Sequence, residues 1–145
     1  MGLLDRIRTG TYVADGEPLI VPGRATALAE VGDRVLAGEG VLPAVRDFLD
    51  QLERLPADEL ARLVEQEPPA TGDSRADALV AAIAEHAAIT RGFACPRWTL
   101  EPDRFLDRFW FVSDTPGFRA IALAQTPVSL KRRGIFWPAR SLRRV

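Results

Sequence analysis

A chain of 145 residues with 47% hydrophobic and 27% charged residues has the balance of an ordinary soluble domain and needs neither metal nor disulfide to build a core. Its single cysteine, Cys95, excludes an internal disulfide, no apolar run approaches the roughly 18 residues of a membrane span, and Asp5, Arg6 and Arg8 interrupt the short apolar start; the expected setting is the reducing cytoplasm. The formal net charge of -1 conceals an asymmetry: residues 1–90 hold 8 basic and 16 acidic side chains, and residues 91–145 hold 11 basic and 4 acidic.

In chain order, Gly10, Gly16 and Pro18 break residues 1–21 into short pieces, with Leu19-Ile20-Val21 able to tuck in as an extended stretch. From Pro22 the three- and four-residue recurrence of Ala25, Leu28, Ala29, Val35 and Leu36 predicts a helix that ends near Gly38 and Gly40. Val41, Leu42, Val45, Phe48, Leu49 and Leu52 then share one helical face, opposite Arg46, Asp47, Asp50 and Glu53. A third helix is expected over about 57–66, with Leu60, Leu63 and Val64 inward and Asp58 and Glu59 in the first turn, where they suit the positive end of the helix dipole. Pro68-Pro69 with Gly72 makes a linker or sharp corner. Asp73 or Ser74 caps a helix to about Arg91, with Leu79, Val80, Ile83 and Ala87 inward and Gly92 as terminator.

Beyond Gly92, Pro96, Pro102, Pro116, Pro127 and Pro138 chop the chain. Thr115-Pro116 and Thr126-Pro127 read as threonine caps followed by proline at the first helical position, predicting short helices at about 116–125 and 127–133. The second should end at Gly134. Pro102 opens a short helix whose buried side is Phe105, Leu106 and Phe109. Ile135-Phe136-Trp137 reads as extended and Pro138 to Leu142 as a final turn. The fold class is therefore mainly α: a compact multi-helix domain with an irregular C-terminal segment of short helices. Residues 1–69 form an acidic helical region, and 70–145 a helix plus a basic, aromatic-rich region packed with it as one domain.

The catalytic inventory is thin. His86 and Cys95 are the only members of their type, too few for a zinc site, and no third orienting group supports a cysteine–histidine nucleophile. Gly38 and Gly40 lack the strand and third glycine of a dinucleotide loop. Asp103 with Asp107, and Asp73 with Asp77, are spaced to share helix faces. Arg104, Arg108 and Arg75 are interleaved with them, which favours ion pairing and capping over acid–base work. No catalytic residue, cofactor or metal is expected.

The last third offers binding chemistry instead. Arg104, Arg108 and Trp110 lie in one aromatic stretch, and Lys131, Arg132, Arg133, Phe136, Trp137, Arg140, Arg143 and Arg144 interleave cations with rings near the end. Such a segment suits an acidic protein surface or, alternatively, phosphates and stacked bases. Arginine outnumbers lysine 18 to 1, a coding bias that carries no evidence of phosphate recognition by itself. A low basic count and a pI of 5.9 favour protein over nucleic acid. Docking of the basic segment onto the acidic one is the other use for the same charges.

Pro96-Arg97-Trp98, Phe105 to Phe111, Arg119-Ala120, Thr126-Pro127 and Arg132-Arg133-Gly134-Ile135-Phe136, followed by Leu142 and Val145, form a loose pattern. Over about residues 70–145 it resembles the C-terminal region of actinobacterial antitoxin-like (XRE-type) regulators encoded beside AbiEii-type nucleotidyltransferase toxins. The resemblance implies a toxin–antitoxin setting and a protein that neutralises a partner protein, and it carries over no catalytic residue. Residues 1–70 contain no Gln-x-x-Leu-Ala element of a helix-turn-helix, so a transcriptional regulator that binds nucleic acid is the alternative reading. The expected contact surface is the end of the chain, from Lys131 to Arg144.

Overall fold

The computed structural model describes residues 25–143; the expectations for residues 1–21 and for Arg144 lie outside them. Helix α1, Leu28–Leu36, buries Leu28, Ala29, Val31 and Gly32. Helix α2, Val41–Leu49, buries Ala44, Val45, Phe48 and Leu49, and α3, Ala57–Glu65, buries Leu60 and Val64. The stripes of α2 and α3 are the ones that the apolar periodicity predicts; α1 meets it only at Leu28 and Ala29, burying Val31 and Gly32 while Leu36 is exposed. After α2 the side chain of the buried Gln51 grips the backbone of Thr26, accepting from its amide and donating to its carbonyl.

The proline corner between α3 and the next helix is packed, not a free linker. A Cβ at Gly32 would stand 2.8 Å from Cδ of Pro69 and 3.2 Å from Cβ of Pro68, so only glycine lets α1 lie this close to two rigid rings. Helix α4, Ser74–Arg91, opens with Asp73, whose carboxylate accepts from the amides of Arg75 (2.9 Å) and Ala76 (3.4 Å). It ends at Gly92, which takes the left-handed conformation at φ 78°. Its burial departs from the expected single inner face: every residue from Ala76 to Ala84 is buried. A helix covered all round must be apolar or small all round, and eight of those nine positions are Ala, Leu, Val or Ile, five of them alanines that admit close neighbours.

α4 is the axis of the molecule. It packs against α1 and α3 on the acidic side and against the C-terminal segment on the other. That segment contains two 3₁₀ turns, Arg97–Leu100 and Pro102–Arg104, then β1, Trp110–Phe111, α5, Phe118–Gln125, α6, Val128–Lys131, β2, Ile135–Phe136, and α7, Ala139–Leu142. β1 and β2 pair in parallel, Trp110 with Ile135 and Phe111 with Phe136, so α5 and α6 serve as the crossover that a parallel pair requires. At the start of β2, Gly134 holds φ 83°, and a Cβ there would stand 3.4 Å from the carbonyl oxygen of Arg108. Leu130, Ile135, Trp137 and Leu142 join the same apolar core as the first three helices.

The threonine caps do not form as expected. α5 begins at Phe118 behind a left-handed Gly117, and α6 begins at Val128 with Pro127 in the cap position. Thr126 is buried, and its hydroxyl has no hydrogen-bond partner among the described residues. Pro102 opens a 3₁₀ turn of three residues, after which the chain extends. Asp103 and Asp107 consequently share no helix face. For the same reason Phe105 and Leu106 are half-buried while Phe109 stands out in solvent.

Candidate partner-binding surface

The cationic and aromatic residues singled out from the sequence separate into two groups. Arg104 is 3% exposed and acts as an internal strut. Its Nη2 donates to the Pro68 carbonyl (2.8 Å) and meets Glu67 (2.9 Å), and its Nη1 donates to the Asp77 carbonyl (3.2 Å). Its guanidinium lies 5.0 Å from the Trp98 ring centroid, and the Trp98 indole donates to the Val64 carbonyl (3.0 Å). This cluster ties the proline corner, α3 and α4 to the first 3₁₀ turns.

Arg133 is fully buried. Nη1 contacts Glu85 and donates to the Ser129 carbonyl (2.8 Å), and Nη2 donates to the Thr99 carbonyl (2.8 Å). Burial lowers its pKa from the ordinary arginine value, and the hydrogen bond with Glu85 opposes that shift. Arg132 is exposed but bonds the same carboxylate, Nε to Oε1 at 3.0 Å. Phe105 lies beside both guanidinium groups, 5.5 Å from that of Arg132 and 4.6 Å from that of Arg133. Phe136 and Trp137 are buried, with Arg46 of α2 over the Trp137 ring. Arg104, Arg133, Phe136 and Trp137 therefore have no surface to offer a partner: the acidic side holds Arg104, Arg133 and Trp137, and Phe109 and Phe111 pack on Phe136. The basic segment closes the core of the acidic one.

What remains outside is smaller. Arg108, Arg140 and Arg143 are exposed, and Lys131 and Trp110 are half-buried, Trp110 with the Arg75 guanidinium at 5.2 Å. Arg144 lies beyond the described residues. To these the structure adds Phe109, which the sequence assigned to a buried side: it is 73% exposed. Its ring is not loose. It meets Phe136 edge-on at 5.2 Å, and Phe111 stacks on the same Phe136 at 4.7 Å, with Arg119 over Phe111. The exposure of Phe109 follows from the 3₁₀ turn at Pro102–Arg104, which is too short to carry it onto a buried helical face.

A groove of about 500 Å³ lies elsewhere, lined by Leu49, Leu52, Asp50, Glu53, His86, Thr90, Arg91, Ala139, Leu142 and Arg143. Burial lowers the His86 pKa below its ordinary value. The Thr90 hydroxyl donates to the His86 carbonyl (2.8 Å), and Arg91 donates to the Leu52 carbonyl. Asp50 and Glu53 line the same groove, but Cys95 is not part of this lining; its sulfur lies 3.2 Å from the Thr99 hydroxyl. Asp73 and Asp77 are structural: Asp73 caps α4, and the Asp77 carboxylate accepts from the Thr71 amide (3.0 Å) and hydroxyl (2.8 Å). Among the described residues no cluster of three His, Cys, Asp or Glu could hold a metal, and no helix is long and apolar enough to cross a membrane. Comparison with family models, with curated proteins and with solved structures found no match to this chain.

Proposed function

We propose that this chain is a non-catalytic protein-interaction module that offers the edge around residues 107–113 to another polypeptide, with Phe109 as its anchor. The observation that carries this reading is the exposed Phe109 ring, braced from behind by Phe136. A large apolar side chain already fixed in position loses little freedom on binding, and aromatic residues with neighbouring arginine dominate binding energies at interfaces. Arg108 beside it suits an acidic partner. The resemblance to antitoxin-like regulators supplies a class of partner, a toxin encoded alongside, which the module would neutralise by covering it. Nucleic-acid binding draws less support, because the guanidinium groups of Arg104 and Arg133 face inward and Arg132 is paired with Glu85, leaving few cations to meet phosphates.

Expression of the tagged full chain from its native gene neighbourhood tests the reading. A neighbouring gene product should co-purify with the wild type, and Phe109→Ser should weaken that complex by about 30-fold or more, equivalent to about 2 kcal/mol. The variant should melt like the wild type, since its ring contributes little burial. Absence of any stable partner, or a complex indifferent to Phe109→Ser, would overturn the proposal.

A further inference from the structure

The groove between the end of α2, the last turns of α4 and α7 shares no residue with the edge around Phe109. Its volume of about 500 Å³ falls in the range of small-molecule sites, roughly 300–1,000 Å³. The floor is hydrocarbon, from Leu49 and Leu52 at the end of α2 and Ala139 and Leu142 of α7. Around it stand polar groups that the fold leaves uncommitted. The ring nitrogens of His86 make no hydrogen bond among the described residues, and Glu53 and Arg143 make no ion pair there. Arg91 donates to the Leu52 carbonyl, a neutral acceptor that leaves its charge unmatched. Asp50 has a partner of its own. The open charges are therefore two guanidinium groups against the one carboxylate of Glu53.

We propose that this groove is a site for a small apolar carboxylate, with its tail on the leucines and its anionic end held by Arg143, Arg91 and an imidazole N–H of His86. Guanidinium and carboxylate meet through charge-assisted hydrogen bonds, and an apolar floor that excludes water strengthens them. Burial holds the His86 imidazole toward its neutral form. A carboxylate beside it favours the imidazolium, so binding takes up a proton and tightens as the pH falls from about 8 to about 6. The other charged groups around His86 in the groove are Asp50 and Glu53 at the end of α2, Arg91 on its own helix and Arg143 beyond α7. Glu53 works against an anion, and that opposition supplies a test of sign.

Calorimetric titration of the full chain with octanoate, and in parallel with octylamine, decides the matter. Octanoate should bind saturably, one per chain, with Kd below about 1 mM, and octylamine should bind at least about tenfold more weakly. Arg143→Gln should weaken octanoate about tenfold, and Glu53→Gln should tighten it about threefold. Both positions are exposed, so both variants should melt like wild type. His86→Gln should remove the pH dependence of octanoate binding. Phe109→Ser should leave that binding unchanged, so the groove and the edge can fail separately. Octylamine binding more tightly than octanoate, a reversed sign at Glu53 or Arg143, or no saturable binding of octanoate overturns the assignment.

Discussion

The Arg133 guanidinium is the most demanding group in the molecule. A fully buried charge is tolerated only when its desolvation is met by hydrogen bonds and an opposite charge. Glu85 and the carbonyls of Ser129 and Thr99 supply these, although Nε has no partner among the described residues. Removal of one partner leaves the other uncompensated. Glu85→Ala should therefore destabilise the fold by about 3–5 kcal/mol in urea unfolding. Arg132→Ala, which removes an exposed cation from the same carboxylate, should cost no more than about 1 kcal/mol. Equal losses would contradict the assignment of Arg133 as the strut. His86 makes a different demand. Its folded pKa lies below its ordinary value near 6.5 because burial disfavours the charged form, so the folded chain binds fewer protons than the unfolded one around that pH. Its contribution to stability is fully present above the unfolded pKa and is lost as the pH falls toward the folded value. The melting temperature of wild type should drop from about pH 7 to about pH 5, and His86→Gln should flatten that drop; coincident curves would show that burial of His86 is not its cause.

At the scale of elements, local chemistry made much of the chain legible. Asp73 and Gly92 mark both ends of α4 because a side-chain cap and a left-handed terminator act within a few residues of themselves. The apolar stripes of α2 and α3 are similarly local. What local pattern could not give was the second covered side of α4. Its alanines are equally compatible with solvent and with close packing, and only the fold of the C-terminal segment decides between them. The threonine caps misled for a related reason: Thr126 precedes a proline that itself occupies the cap position, and its hydroxyl is turned into the interior. A buried hydroxyl without a partner is a net cost, so Thr126→Val should leave thermal stability unchanged or raise it. A loss of about 1 kcal/mol, typical of a removed helix cap, would show that Thr126 caps α6 after all.

For the whole molecule, the change of charge sign between the two segments has a structural use. Arg104 with Glu67, and Arg132 and Arg133 with Glu85, join the basic part to the acidic part across the faces of α4. Trp137 and Leu142 are buried in the common core. A sequence can reveal that cations and aromatics are concentrated, but whether they face outward depends on long-range packing, and here Arg104, Arg133, Phe136 and Trp137 do not. Of the surface read from the sequence, Arg108, Arg132, Arg140 and Arg143 remain exposed, and Phe109 replaces Phe136 and Trp137 as the ring available for contact. Amide hydrogen exchange tests this relocation most directly, comparing the free chain with its complex with another polypeptide. The account predicts that slowed exchange on binding falls on residues 107–113; slowing confined to residues 131–143, or none in either region, would contradict it.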